Sequence, residues 1–141
     1  MSHTPIRPAA QSFPAPSSTP TPPGAPPTSS ILPRLPHHKL VAYTVARDLV
    51  VAVRAASIRE ANLRDHALRA AQSAALNCAE GAGRVSRADK ARAFAIARAE
   101  AVEAAAAVEI AAHCGEAAPE HLAPVLHLAD RLVALLTGLV K

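Results

Sequence analysis

From residue 38 onward, apolar side chains recur at three- and four-residue steps, the spacing that lines one face of an α-helix. Four blocks show it. Val41, Val45, Leu49, Ala52 and Ala56 predict a first helix over about 38–56, and Leu63, Ala67, Ala70, Ala74 and Cys78 a second over about 61–80. Phe94, Ala97, Ala101, Ala105 and Val108 mark a third that runs to about His113. The fourth stripe is the clearest: Leu122, Val125, Leu126, Ala129, Leu132, Val133, Leu136 and Leu139. No run of alternating β-branched residues interrupts them, so the predicted class is all-α. Short connections favour antiparallel neighbours, hence an up-down-up-down four-helix bundle over residues 38–141.

The connections carry their own signals. Gly81 and Gly83 predict the end of the second helix, as glycine does where a chain turns left-handed. Ser86 with Asp89 three residues on reads as the N-cap of the third, a capping box with Asp in place of Glu. Gly115 stops that helix, and Pro119 suits the first turn of the fourth.

Residues 1–37 follow no such pattern. They hold 11 of the chain's 13 prolines and neither Asp nor Glu. A segment so composed buries too little apolar surface to offset the entropy of ordering it, so a disordered tail is expected. Its "ILPRLP" stretch at 31–36 suits docking on a partner protein, because proline-rich chains are already extended. Behind the tail, alanine supplies 31 of the 104 residues from 38 to 141. Small side chains let helices approach closely but bury little area each, so an isolated monomer is expected to be marginal. The third helix is apolar on more than one face, with Ile96 and Ile110 lying off its main stripe. A helix apolar nearly all round is usually buried nearly all round, which points to a homo-oligomer.

Charge and cysteine narrow the function classes. Residues 47–98 carry ten Lys and Arg against five Asp and Glu, whereas residues 99–141 carry two against six. The first half is therefore a candidate surface for anions. Arg47 and Arg54 share a face of the first helix, and Arg84, Arg87, Lys90 and Arg92 gather at the second interhelical turn and just beyond it. These six are the candidate nucleic-acid-binding residues, and with so few aromatic residues no stacking platform for single strands is expected. Cys78 and Cys114 fall near the C-terminal ends of two antiparallel neighbours, too far apart to bridge, and are expected as buried free thiols. "LVALLTGLV" at 132–140 is too short to span a bilayer and no secretory signal is evident, so a cytoplasmic protein without membrane contact is expected. The histidines are scattered, no Glu-x-x-His motif occurs, and no nucleophile sits beside a base at a recognisable spacing. Neither enzyme activity, metal nor cofactor is expected.

One polar segment stands out. Ser73, Asn77 and Glu80 share a face of the second helix, and Arg84 extends the line into the turn. An amide and a carboxylate there are placed to bond the open N–H groups that start the next helix, with the positive helix end favouring Glu80. Ser73, Asn77, Glu80, Gly81 and Gly83 are thus read as a structural junction, leaving Arg84, Arg87, Lys90 and Arg92 free for a partner.

The same segment carries a resemblance. Arg69, Ala70, Ser73, Asn77, Ala79, Glu80, Gly81, Gly83, Arg84, Ser86, Ala97, Arg98 and Glu103 match the recurring pattern of a bacterial family named for open reading frames in intervening sequences of 23S ribosomal RNA genes. The resemblance covers essentially residues 37–141. Cys78 replaces a usual Ile, and Ala99-Glu100 a usual Gly-Ser. The resemblance implies a four-helix up-and-down bundle assembled as a ring of five. A similar protein, the accessory variability factor of diversity-generating retroelements, implies association with RNA or DNA. The expected protein is a non-enzymatic homopentamer that binds nucleic acid through a basic surface with low sequence specificity. A scaffold whose proline-rich tail docks a partner is the alternative.

Overall fold

The computed structural model describes residues 32–141; residues 1–31 of the tail predicted over 1–37 lie outside the described residues. The chain from Pro33 to Lys141 forms one compact unit. Its elements are a 3-10 turn at Pro36–Lys39, then α1 (Val41–Ala55), α2 (Ala61–Gly83), α3 (Arg87–His113), a second 3-10 turn at Pro119–His121, and α4 (Leu122–Val140). The folded unit therefore begins before residue 38, and Pro33–His37 belong to it rather than to the tail.

The four helices form the predicted up-down-up-down bundle. Each packs on its sequence neighbours, α1 closes the square against α4, and α1 and α3 barely touch across the diagonal. Contacts fix the antiparallel order. His66 early in α2 meets Glu103 late in α3, Gly81 at the other end of α2 meets Phe94 early in α3, and Arg98 of α3 donates to Thr137 near the end of α4. One end of the bundle, here the upper, thus holds the α2–α3 turn, the start of α1 and the end of α4. The lower end holds the α1–α2 and α3–α4 connections.

The inner stripes match the periodicity. Val45 and Leu49 of α1, Ala67, Ala70, Ala74 and Cys78 of α2, Phe94, Ala97, Ala101, Ala105 and Val108 of α3, and Val125, Ala129, Leu132 and Leu136 of α4 are buried together. Their small volumes explain why α2 and α3 share the most extensive contact in the bundle. α1, at 15 residues, is about 12 Å shorter than the 23-residue α2. The first 3-10 turn fills that difference by packing on α2.

The helix ends give two confirmations and one correction. Ser86 caps α3: its hydroxyl accepts from the Asp89 N–H and donates to the Asp89 carboxylate at 2.7 Å. At the far end Gly115 takes φ 73°, while Glu116 N–H returns to the Ala111 carbonyl and Gly115 N–H to that of Ala112. This is a Schellman stop, with glycine where L side chains are strained. The predicted left-handed stop at Gly81 and Gly83 is not found. α2 runs through both, and Arg84 beyond them is extended, with φ −69° and ψ 147°. Gly81 serves close approach instead: a Cβ there would lie 2.5 Å from the Phe94 ring. Around Gly83 the space is open.

The lower end is tied across its two loops. The Arg59 backbone N–H donates to the Glu116 carbonyl at 2.9 Å, its guanidinium bonds the Gly115 carbonyl, and its Nε stands 3.6 Å from the Glu116 carboxylate. Beside it Glu60 caps α2 by accepting from the Leu63 and Asn62 N–H groups. Those two backbone bonds, Leu63's first, hold its carboxyl below the usual glutamate range.

The apolar run at 132–140 is part of a longer helical stretch. Pro119–Val140 is, by length and by a mean hydropathy of 1.5, enough to cross a membrane. In the bundle its apolar stripe faces α1 and α3, and Asp130 with Arg131 stands exposed halfway along it, where a bilayer core would penalise charge.

Candidate nucleic-acid interface

Antiparallel folding converts the charge asymmetry of the sequence into one along the bundle axis. Lys39, Arg84, Arg87, Lys90 and Arg92 come to the upper end, against Glu80 and Asp89. The lower end brings Arg54, Arg59 and Arg64 together with Glu60, Asp65, Glu109, Glu116 and Glu120. There Arg59 is engaged by Glu116, and Arg64 lies 3.7 Å from Asp65.

The six candidate cations do not all meet. Arg84, Arg87, Lys90 and Arg92 all fall at the upper end, Lys90 half-buried and the others exposed, and Arg47 stands exposed on the upper half of α1. Arg54, in the last turn of α1, belongs to the lower end and is separated from the others. Nor are the four groups at the upper end equally free. Arg84 is held by Glu80, with Nε at 3.1 Å and Nη2 at 2.5 Å from the same carboxylate oxygen. That bond and the carboxylate charge raise its already high pKa, so Arg84 is a permanently charged but paired group. Arg87 donates one N–H to the backbone oxygen of Lys141 at 2.6 Å. Lys90 and Arg92 make no ion pair among the described residues, and Arg92 lines a cleft of about 340 Å³ with Arg84, Asp89 and Ile96.

The junction residues act within α2 rather than across the turn. Asn77 donates to the Ser73 carbonyl at 2.9 Å and to its hydroxyl at 3.2 Å, one turn back. Glu80 reaches forward to Arg84, also one turn away. Neither bonds the start of α3, because Ser86 and Asp89 already satisfy it. Of the five, only Gly81 acts across the α2–α3 interface.

A feature the periodicity does not reveal lies on the upper half of α1. The 3-10 turn brings His37 beside Tyr43, ring centroids 4.7 Å apart and edge to face, with His38 4.2 Å from His37. The Arg47 guanidinium lies 5.9 Å from the Tyr43 centroid. The only advance signal is the four-residue spacing of Tyr43 and Arg47.

The two thiols differ more than expected. Cys78 is fully buried, and burial pushes its pKa up to about 12. Cys114, at the C-cap of α3, is exposed, which corrects its reading as a buried thiol: the helix ends in the solvated lower loop before it can cover the side chain. A thiol-specific colorimetric reagent should therefore titrate one thiol per chain in native buffer and two in denaturant. Two fast thiols in native buffer would contradict the burial of Cys78. Among the described residues no group of three or more His, Cys, Asp or Glu side chains is placed to hold a metal ion.

No curated protein matches the chain. The sequence profile of the 23S rRNA-intervening sequence proteins matches residues 38–138, nearly the whole bundle. The segment that carries the matching polar residues is the one that builds the α2–α3 contact and the basic end, and the chain belongs to the 23S rRNA-intervening sequence protein family.

Proposed function

We propose that this is a non-enzymatic, cytoplasmic protein that assembles with copies of itself and binds the phosphate backbone of RNA or DNA through its upper end. The observation that carries this reading is the separation of charge along the bundle. Arg87, Lys90 and Arg92 stand on the first turns of α3 with no side-chain carboxylate paired to them among the described residues, and cations outnumber Glu80 and Asp89 at that end, while acidic groups outnumber cations at the other. Repeating that end around an assembly multiplies phosphate contacts without any new chemistry.

Self-association rests on α3. Its buried face is alanine, yet its outward face is also apolar: Ile96, Ala99, Val102, Ala106 and Ile110 are exposed. Between α2 and α3 that face continues into an apolar groove of about 610 Å³, floored by Leu63, Ala107 and Ile110 and edged by Glu60, His66 and Glu103. A second copy of the chain is the occupant that would complete a core too rich in alanine to bury much area alone. Ala99 and Glu100, in place of the family's usual Gly-Ser, sit on the outer side of this contact, with Glu100 half-buried beside Arg69 and Ser73. A ring of five is what the sequence resemblance implies.

Light-scattering mass, with and without a short structured RNA at two salt concentrations, tests both parts. The expected result is a multimer of the 14.5 kDa chain that gains mass with RNA and loses it as salt rises. Replacing Arg87, Lys90 and Arg92 together by Glu should lower the salt slope of binding by about one for each phosphate no longer neutralised, at unchanged thermal stability. Unchanged affinity would remove the upper end as the interface.

A second reading has its own observation. Leu32 and Leu35 are exposed in the extended stretch before the first 3-10 turn, and Leu35 has φ −83° and ψ 162°, close to polyproline II. Such a segment is prepared for docking in a groove of a partner protein.

A further inference from the structure

The upper half of α1 carries a cluster that backbone binding does not need. The sequence has one tyrosine, no tryptophan and two phenylalanines. Phe94 serves the core, but Tyr43 stands half-buried on the surface of α1. Half-buried His37 meets its ring edge to face, exposed His38 stands against His37, and exposed Arg47 reaches over the tyrosine ring. Three ring side chains and a guanidinium thus come together within eleven residues of chain. Tyr43 packs on the edge of the alanine, valine and leucine core and the 3-10 turn packs on α2, yet the Tyr43 and His37 rings stay half-exposed and His38 and Arg47 exposed. They lie beside the C-terminal turns of α2, at the end of the bundle that also carries Lys39, Arg87, Lys90 and Arg92.

Flat π faces next to a field of cations are the elements of a site for unpaired bases. Each base stacks on an aromatic or guanidinium plane while its phosphate lies among the charges, and the stacking is tolerant of sequence. We infer that His37, Tyr43 and Arg47 form a stacking site for unpaired nucleobases, and that the upper end therefore prefers single-stranded or looped nucleic acid to a continuous duplex. A duplex keeps its bases stacked on each other and offers this cluster only its backbone. The inference rests on the proposed nucleic-acid binding and adds to it which form of nucleic acid is held.

The chain supplies its own probe, because Tyr43 is its only tyrosine and no tryptophan competes with its emission. The experiment titrates the full-length protein at low salt with a short oligouridine, with oligothymidine and with an RNA duplex of equal length, reading tyrosine fluorescence and anisotropy of the labelled strand together. Both single strands should quench Tyr43, and the duplex should bind without quenching. Tyr43→Leu should weaken single-strand binding about five- to tenfold and leave duplex binding within twofold, whereas Tyr43→Phe should retain most of the affinity. Binding of single strands with unchanged tyrosine emission, and equal affinity in Tyr43→Leu, would overturn the stacking site and leave the charge-based interface standing. No binding of any strand at low salt would overturn both. The quench is read on the unmodified protein, so it decides the matter even if the leucine variant folds poorly.

Discussion

Gly81→Ala should lower the melting temperature by about 5–10 °C, although alanine is the better helix former. In an open helix interior the exchange gains about 0.5–1 kcal/mol. Here α2 continues through Gly81, and the new Cβ would stand 2.5 Å from one edge of the Phe94 ring and within 2.9 Å of two further ring atoms. Phe94 is buried in the core and cannot swing into solvent. Overpacking of this kind costs about 1–3 kcal/mol, so the steric cost exceeds the propensity gain. In a domain of this size about 1 kcal/mol moves the midpoint by 4–8 °C. Phe94→Leu in the same chain should recover part of the loss, because the two changes meet at one contact and do not add. The melts must be compared at one protein concentration, since any self-association adds to apparent stability. A midpoint at or above that of the parent protein would show that the ring yields without cost.

The second large effect is on assembly. Ile96→Asp combined with Ile110→Asp should reduce the scattering mass to that of the 14.5 kDa chain. Both side chains are exposed on the single bundle, at 41% and 54%, so the substitutions should leave its own fold nearly unchanged. In the proposed contact each would bury an unpaired carboxylate, which costs far more than the few apolar contacts it replaces. Val51→Asp supplies the control: this residue is apolar and at 67% more exposed than either isoleucine, but stands on α1, away from the α2–α3 groove. A multimer that survives the isoleucine pair but not the valine change would move the interface to α1.

Much of the fold is legible in the sequence because a bundle is written in a period. Every residue named in the third stripe is buried, and the caps at Ser86 and Gly115 follow from chemistry local to a few residues. What escapes is which partner each side chain finds, which no period announces. Gly81 reads as a helix stop because a glycine near a helix end usually is one, whereas its reason is a ring thirteen residues away. Asn77 and Glu80 look placed to serve the next helix, yet each finds a partner four residues off in its own. The 3-10 turn that sets His37 against Tyr43 has no apolar period to announce it. Charge is half legible: the sequence divides into a basic and an acidic part, but antiparallel folding interleaves the two. Arg54 consequently parts from Arg84, and the cationic group is smaller and more local than the sequence suggests.

The uneven distribution of charge between the bundle's ends has a consequence for symmetry. Identical subunits related by rotation about one axis all present the same end to the same side. If the bundles stand along that axis, the closed assembly is a disc with two unlike faces, one cationic and one mainly anionic. A polyanion would then approach from one side only, and every stacking site would open onto that side. Two discs would meet most readily head to tail, face to unlike face, through a contact that added salt dissolves. Sidedness of this kind would be inherited from a single chain, with no asymmetric partner needed to create it.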